Sequence, residues 1–274
     1  MDKPTAPADP SAALAAAAAA GPYFALEQWA GGAPWRPLSV LVTDPGVLRE
    51  RVGHARGVLA RSAGVGPAEI QERAAASIVF LGLASRLVSP SLGAAVAGGV
   101  VPELSLADVW WRPADGGPLP LAARLASGTA VGGLASGEQL AAAARLLSEG
   151  CVQGLAGPLA EAFLAAFRLS PKVLWGNVAS ALAGAAGMLA EAVPDRAEAA
   201  GRLTAEILGL GPLRGTGDLV QPDPALARRF LVRRSCCLFY RVPGGGTCGD
   251  CVLVPDDVRH QQWRSALARS ALRH

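Results

Sequence analysis

Residues 173–190 read VLWGNVASALAGAAGMLA, eighteen residues without a charge, bounded by Lys172 and Glu191. A run like this must be buried, and its length approaches that of a membrane-spanning helix. Its alanine and glycine content, with Asn177 and Ser180 inside it, favours a buried core helix over a span. A chain organised around such a helix is expected to be mostly α, and other segments agree. Asp44-Pro45 joins an N-cap to proline at the first helical position, with Val47, Leu48, Val52, Val58 and Leu59 along one side. Gly66-Pro67 starts a second helix through Ile70, Ile78, Leu81 and Leu87, which Ser89-Pro90 is expected to stop. Ser136 and Gln139 have capping-box spacing, Ser170-Pro171 opens the apolar helix, and Pro194-Asp195 opens one that ends near Gly209. Residues 107–112, centred on Val109-Trp110-Trp111, are the main candidate for extended structure.

Three regions follow. Residues 1–22 form an alanine-rich, low-complexity tail, expected to be disordered and to run into a short helix. Asp2, Asp9 and three prolines stand where a signal peptide needs a basic start, which points to the cytoplasm, where thiols stay reduced and serve as metal ligands. Residues 23–222 form the helical domain, ending in the linker-like GLGPLRGTGDLVQPDP. Residues 223–274 form a small cysteine module, with a short helix at 225–234, a β-type run at 237–242, a turn at Gly244-Gly245-Gly246, and a last helix from Pro255 or Asp256 with Val258, Trp263, Leu267 and Leu272 as its larger apolar residues.

The charge is unevenly distributed. From Pro224 onward nine arginines face three acids, a balance of +6, while the rest of the chain carries −3. A basic end suits an anionic ligand, an acidic protein partner or at most a peripheral membrane contact. No helix-turn-helix is evident, and no nucleic-acid partner is expected.

The basic end also carries Cys236-Cys237, ten intervening residues, and Cys248-Gly-Asp-Cys251. Four thiolates complete a [2Fe–2S] cluster, two on each iron, so the stoichiometry fits. In an extended chain, neighbouring side chains point to opposite faces, so Cys236 and Cys237 need a bent backbone to converge. Zinc in a four-cysteine site and buried structural thiols stay open on spacing alone, although a Cys-Cys pair is unusual for zinc. Disulfides would require export. Cys151, among Leu147, Leu155 and Leu159, reads as a small buried hydrophobe.

The segment RRSCCLFYR, residues 233–241, followed by PGGGTCGDC, resembles the C-terminal signature of the FhuF-type ferric-siderophore reductases. Leu87-Val88-Ser89-Pro90 and Leu174-Trp175-Gly176-Asn177 resemble further family segments. The resemblance implies a [2Fe–2S] cluster on Cys236, Cys237, Cys248 and Cys251, and reduction of siderophore-bound ferric iron in the cytoplasm. Arg233, Arg234 and Arg241 flank these positions and are candidates for tuning the cluster or docking a partner. Trp175 and Asn177 are candidates for the substrate pocket; Trp110 and Trp111 read as core. Asn177, inside an apolar helix, must find a hydrogen-bond partner, either structural or in the cluster loop. With no nicotinamide or flavin motif, electrons are expected from a separate donor such as a ferredoxin or flavoprotein. A cluster-bearing redox sensor and a zinc-stabilised siderophore-binding protein are the alternative readings.

Overall fold

The computed structural model describes residues 6–114, 117–125 and 127–271. The fold is mostly α with a few short strands. The chain begins with β1 (Ala6–Ala8), α1 (Ser11–Ala18), β2 (Glu27–Gln28), β3 (Arg36–Pro37), α2 (Val40–Thr43) and α3 (Pro45–Ala63). Then come α4 (Glu72–Gly98), β4 (Val100–Pro102), β5 (Val109–Trp111), β6 (Leu121–Ala123), β7 (Gly128–Ala130) and α5 (Gly137–Leu147). A π-helical stretch, Ser148–Ala156, carries α5 directly into α6 (Gly157–Ala166). The last part holds α7 (Pro171–Ala192), α8 (Ala197–Leu208), β8 (Gly217–Val220), β9 (Phe230–Arg233) and α9 (Asp256–Ala271). The strands form a three-stranded sheet β1-β7-β4, a four-stranded sheet β2-β6-β5-β3, and the β8-β9 hairpin.

Helix starts are set by local chemistry. The Asp44 carboxylate accepts from the amides of Gly46 and Val47, Ser136 accepts from the Gln139 amide, and Ser170 accepts from the Lys172 amide. The core is made by α4 and α7, which pack against each other. Both are long and apolar enough to cross a membrane by length and composition, yet 78% and 67% of their most apolar windows are buried within the protein.

Several expectations need correction. Pro90 does not end α4; the helix continues to Gly98 with Pro90 inside it. Proline in a helix costs about 3 kcal/mol, and burial of Leu87, Val88, Leu92, Ala94 and Ala95 around it offsets that cost. The N-terminal region is ordered from Ala6: β1 pairs with β7, and α1 buries Ala13, Leu14 and Ala17 against α4. Gly98 permits this contact, since a Cβ there would overlap Ala13. The first five residues of the expected tail lie outside the described residues.

The linker-like stretch contains β8, and residues 225–234 hold β9 instead of a helix. Leu219 pairs with Leu231 and Gly217 with Arg233, so the expected boundary at 222/223 falls within the turn of a hairpin. The run at 237–242 is a turn: Leu238 has φ +68°, and Phe239–Arg241 forms a 3-10 turn. In α9, Arg259, Trp263 and Leu267 face inward at four-residue spacing, whereas Val258 is exposed. Leu272 lies outside the described residues.

Candidate iron–sulfur site

Helix α7 presents a stripe of small residues to the cysteine segment. Gly176, Ser180 and Gly184 recur every four residues along one side of the helix. At Gly176 the approach is tight: a Cβ would lie 2.9 Å from Arg233 Nη2 and would overlap the Ser235 hydroxyl. Ser235 Oγ itself donates to the Lys172 carbonyl at 2.7 Å, which holds the entry to the cysteine pair against the start of α7.

Past that point the backbone bends. Leu238, in the left-handed region, turns its amide to donate to Cys236 Sγ at 3.3 Å. The bend also brings the second segment close, and Cys237 Sγ lies 3.4 Å from Cys248 Sγ. Cys237 and Cys251 are buried; Cys236 and Cys248 are partly exposed. The site is therefore a shallow edge, closed on one side and reachable on the other.

Each buried cysteine has its carbonyl anchored to a helix. Ser77 Oγ, on α4, donates to the Cys237 carbonyl at 2.7 Å. Arg259 Nη2, on α9, donates to the Cys251 carbonyl at 3.3 Å and to the Val254 carbonyl at 2.7 Å. Asn177 completes the first anchor: its Nδ2 donates to Ser77 Oγ at 3.0 Å and to the Ser77 carbonyl at 2.9 Å, while its Oδ1 accepts from Arg233 Nη2 at 2.8 Å. The polar residue inside the apolar helix thus meets the cysteine segment from below.

Arg233 is the unusual group. It is 1% exposed, makes no ion pair among the described residues, and its Nε has no partner. A buried cation without a counter-charge is costly, which calls for negative charge nearby. Burial raises the Cys236 thiol, and the positive charge of Arg233 works against that rise. The hydrogen bond between the two thiols takes Cys237 down to about 6, with Arg233 assisting, and pushes Cys248 upward, a rise that Arg233 opposes. Burial raises the Asp250 carboxyl, and the hydrogen bond from Ser180 Oγ at 2.8 Å opposes this.

Four thiols beside a buried cation fit an anionic iron–sulfur group. Among the described residues, no three His, Cys, Asp or Glu side chains converge to hold a single metal ion.

The other singled-out residues separate. Arg234 is exposed and pairs with Asp218 at 3.0 Å. Arg241 is exposed, stacks on Tyr240 and donates to Gln71 at 3.3 Å. Trp175 lines a cavity of about 350 Å³ together with Lys172, Arg214 and Arg234. Asn177 is fully buried in the anchoring network. Trp110 stacks on Trp29 at 3.9 Å, and Trp111 lies in the core. Cys151 is buried, and burial pushes its thiol up to about 11.

Sequence reasoning missed Ser77, Ser180 and Arg259 as supports. Ser77 and Ser180 were visible as polar residues in apolar runs; Arg259 had no such signal. Two cavities, of about 440 Å³ and about 420 Å³, open on either side of the Cys248-Gly249-Asp250 loop, and both have Cys248 in their walls. No curated protein matches the chain. Residues 233–253, which begin at the buried arginine and include Cys236, Cys237, Cys248 and Cys251, match the FhuF 2Fe-2S C-terminal domain.

Proposed function

We propose that this protein is a ferric-siderophore reductase of the cytoplasm, with Cys236, Cys237, Cys248 and Cys251 as the cluster ligands. When bound, the [2Fe–2S] group stores and passes one electron at a time. The net reaction takes one electron from a separate donor, a reduced ferredoxin or flavoprotein, and converts chelated Fe(III) to Fe(II). Fe(II) is held less tightly by hard oxygen ligands, so the reduction loosens the metal from its chelator.

The protein's own residues supply placement and charge. Ser77 and Arg259 fix the backbone of the two buried cysteines. Arg233 provides buried positive charge, which favours the more negative reduced state. Cys236 and Cys248 lie toward solvent, where donor and substrate can approach.

The observation that carries this reading is the match of residues 233–253 to the FhuF 2Fe-2S domain, at a site whose partly exposed Cys248 lines two cavities. Cavities of this size suit a small-molecule partner, which favours a reductase over a sensor that reads a protein or DNA. The test is anaerobic mixing of reduced holoprotein with a ferric siderophore, with a ferrous chelator trapping the product. Stoichiometric Fe(II) with reoxidation of the protein supports the reading; a reduced protein that stays reduced in excess ferric chelate defeats it.

A further inference from the structure

The cavity of about 350 Å³ at Trp175 lies where the start of α7 meets the turn before β8 and the residues that leave β9. Lys172, Arg214 and Arg234 bring three cationic side chains to its wall, and all three are exposed. Among the described residues, no carboxylate lines it. Asp218, outside the wall, accepts from Arg234 Nε and Nη2. Lys172 and Arg214 make no ion pair among the described residues. Three cations less one paired carboxylate leave a balance of +2 on this face. The cavities at Cys248 differ, since Asp250 stands in both their walls.

This basic face adjoins the cysteine site without opening into it. Ser235 is part of its wall, and the Ser235 hydroxyl is tied to the Lys172 carbonyl at 2.7 Å. The next residue in the chain is Cys236, one of the two partly exposed cysteines of the signature. No cysteine lines the cavity itself, so a small molecule inside it would not touch the site. A protein that covers the face, by contrast, also reaches across Ser235 to Cys236. Half-buried Trp175 supplies an aromatic anchor among the cations, and tryptophan and arginine are the residues that most often dominate protein interfaces.

We propose that the face formed by Trp175, Lys172, Arg214 and Arg234 is the docking site of a small acidic one-electron carrier protein, which delivers its electron at the Cys236 edge. This assignment rests on the reading that the protein takes electrons from a separate donor, and it leaves the Cys248 side to the ferric chelate. Carboxylates on the carrier meet Lys172 and Arg214, and this attraction steers the encounter. One electron leaves the carrier and arrives at the cluster held by the four cysteines. No bond or proton is exchanged between the two proteins.

The probes are a plant-type [2Fe–2S] ferredoxin and a flavodoxin, both small acidic carriers. Their affinities for the cluster-loaded protein are measured in the oxidised state by titration calorimetry, at about 20 mM and about 300 mM salt. At least one should bind wild type, and its affinity should fall about tenfold or more between the two salt concentrations. The double variant Lys172→Glu/Arg214→Glu should bind that carrier about tenfold or more weakly at low salt, with little further loss at high salt. Trp175→Ala should be weaker at both, because an apolar contact is not screened. Arg264→Glu, a charge reversal at an exposed position of α9, should bind as wild type. Iron and sulfide content should match wild type in every variant.

A carrier that binds the double variant as tightly as wild type, or that loses as much affinity in Arg264→Glu, overturns the site. Wild-type protein that binds neither carrier at low salt overturns it too. Intact carrier binding with slowed reoxidation of the double variant by a ferric tris-catecholate assigns the face to the chelate and overturns the occupant. Carrier binding that is lost in the double variant, in a protein that leaves ferric chelates unreduced, defeats the reductase reading and keeps the docking face.

Discussion

Arg233 donates to the side-chain oxygen of Asn177 at 2.8 Å, and both residues are closed off from solvent. Through this bond the first residue of the cysteine segment is tied to the longest uncharged run in the chain. Asn177 passes the connection to Ser77, and Ser77 passes it to the Cys237 carbonyl. Two core helices thereby hold one cysteine in place and keep a positive charge beside the sulfurs.

That charge should be readable in the reduction potential. Reduction adds negative charge to the cluster, so loss of the Arg233 cation makes reduction harder and lowers the potential. At an effective dielectric near 20, a charge several ångströms away is worth about 2 kcal/mol, and about 1.4 kcal/mol corresponds to about 59 mV for one electron. Arg233→Gln should therefore lower the midpoint by roughly 50–100 mV in an EPR-monitored titration. Arg233→Lys, which keeps the charge, should recover most of that shift. An unchanged potential in Arg233→Gln would make the residue structural only.

The same network carries stability. Asn177→Leu leaves the Ser77 hydroxyl without its amide donor and Arg233 without the side-chain acceptor it has among the described residues, and unpaired buried polar groups cost about 1–3 kcal/mol each. We expect a loss of about 2–4 kcal/mol in denaturant unfolding and a lower cluster content as purified. Ser77→Ala should cost less, and the double variant should show strong non-additivity, because both act on one chain of bonds. Simple additivity would mean the two residues act independently.

Two glycines of α7 should respond in opposite directions. Gly176→Ala places a methyl group 2.9 Å from Arg233 Nη2 and into the Ser235 hydroxyl, so the cysteine segment must shift. Gly184 has nothing within 4 Å of its would-be Cβ. Gly184→Ala should stabilise the protein by about 0.5–1 kcal/mol through helix propensity alone. Gly176→Ala should destabilise it and reduce iron content. Similar behaviour of the two variants would mean that the close approach at Gly176 does not constrain the site.

Much of this site was legible in the sequence because its signals are local. The cysteine spacing, the caps at Asp44, Ser136 and Ser170, and the isolated polarity of Asn177 each declare themselves within a few residues. The hairpin that carries Arg233 did not, because the arginines around Phe230-Leu231-Val232 mask a strand whose reason to form is its pairing with β8. Once that strand is known, its two-residue period explains why Arg233 faces inward with Leu231 while Arg234 faces solvent. Pro90 misled for a similar reason: the burial that keeps α4 intact comes from partners far away in sequence. The carbonyl anchors from Ser77 and Arg259 are likewise products of packing, and no short motif encodes them.

The five cysteines should fall into two chemical classes. Burial pushes the Cys151 thiol from its ordinary value near 9 up to about 11, so near pH 8 it stays protonated and unreactive. Its thiolate would appear only as pH rises toward that higher value, and burial blocks access even then. Cys236, Cys237, Cys248 and Cys251 should be protected differently, as cluster ligands. Holoprotein treated with iodoacetamide near pH 8 without oxygen should therefore take up almost no label. After the cluster is stripped with an oxidant and chelator, peptide mass spectrometry should find label on those four cysteines and none on Cys151. Unfolding in guanidinium should then expose Cys151. Labelling of Cys151 in the folded protein would contradict its burial. A signature cysteine that reacts freely in the holoprotein would remove it from the ligand set.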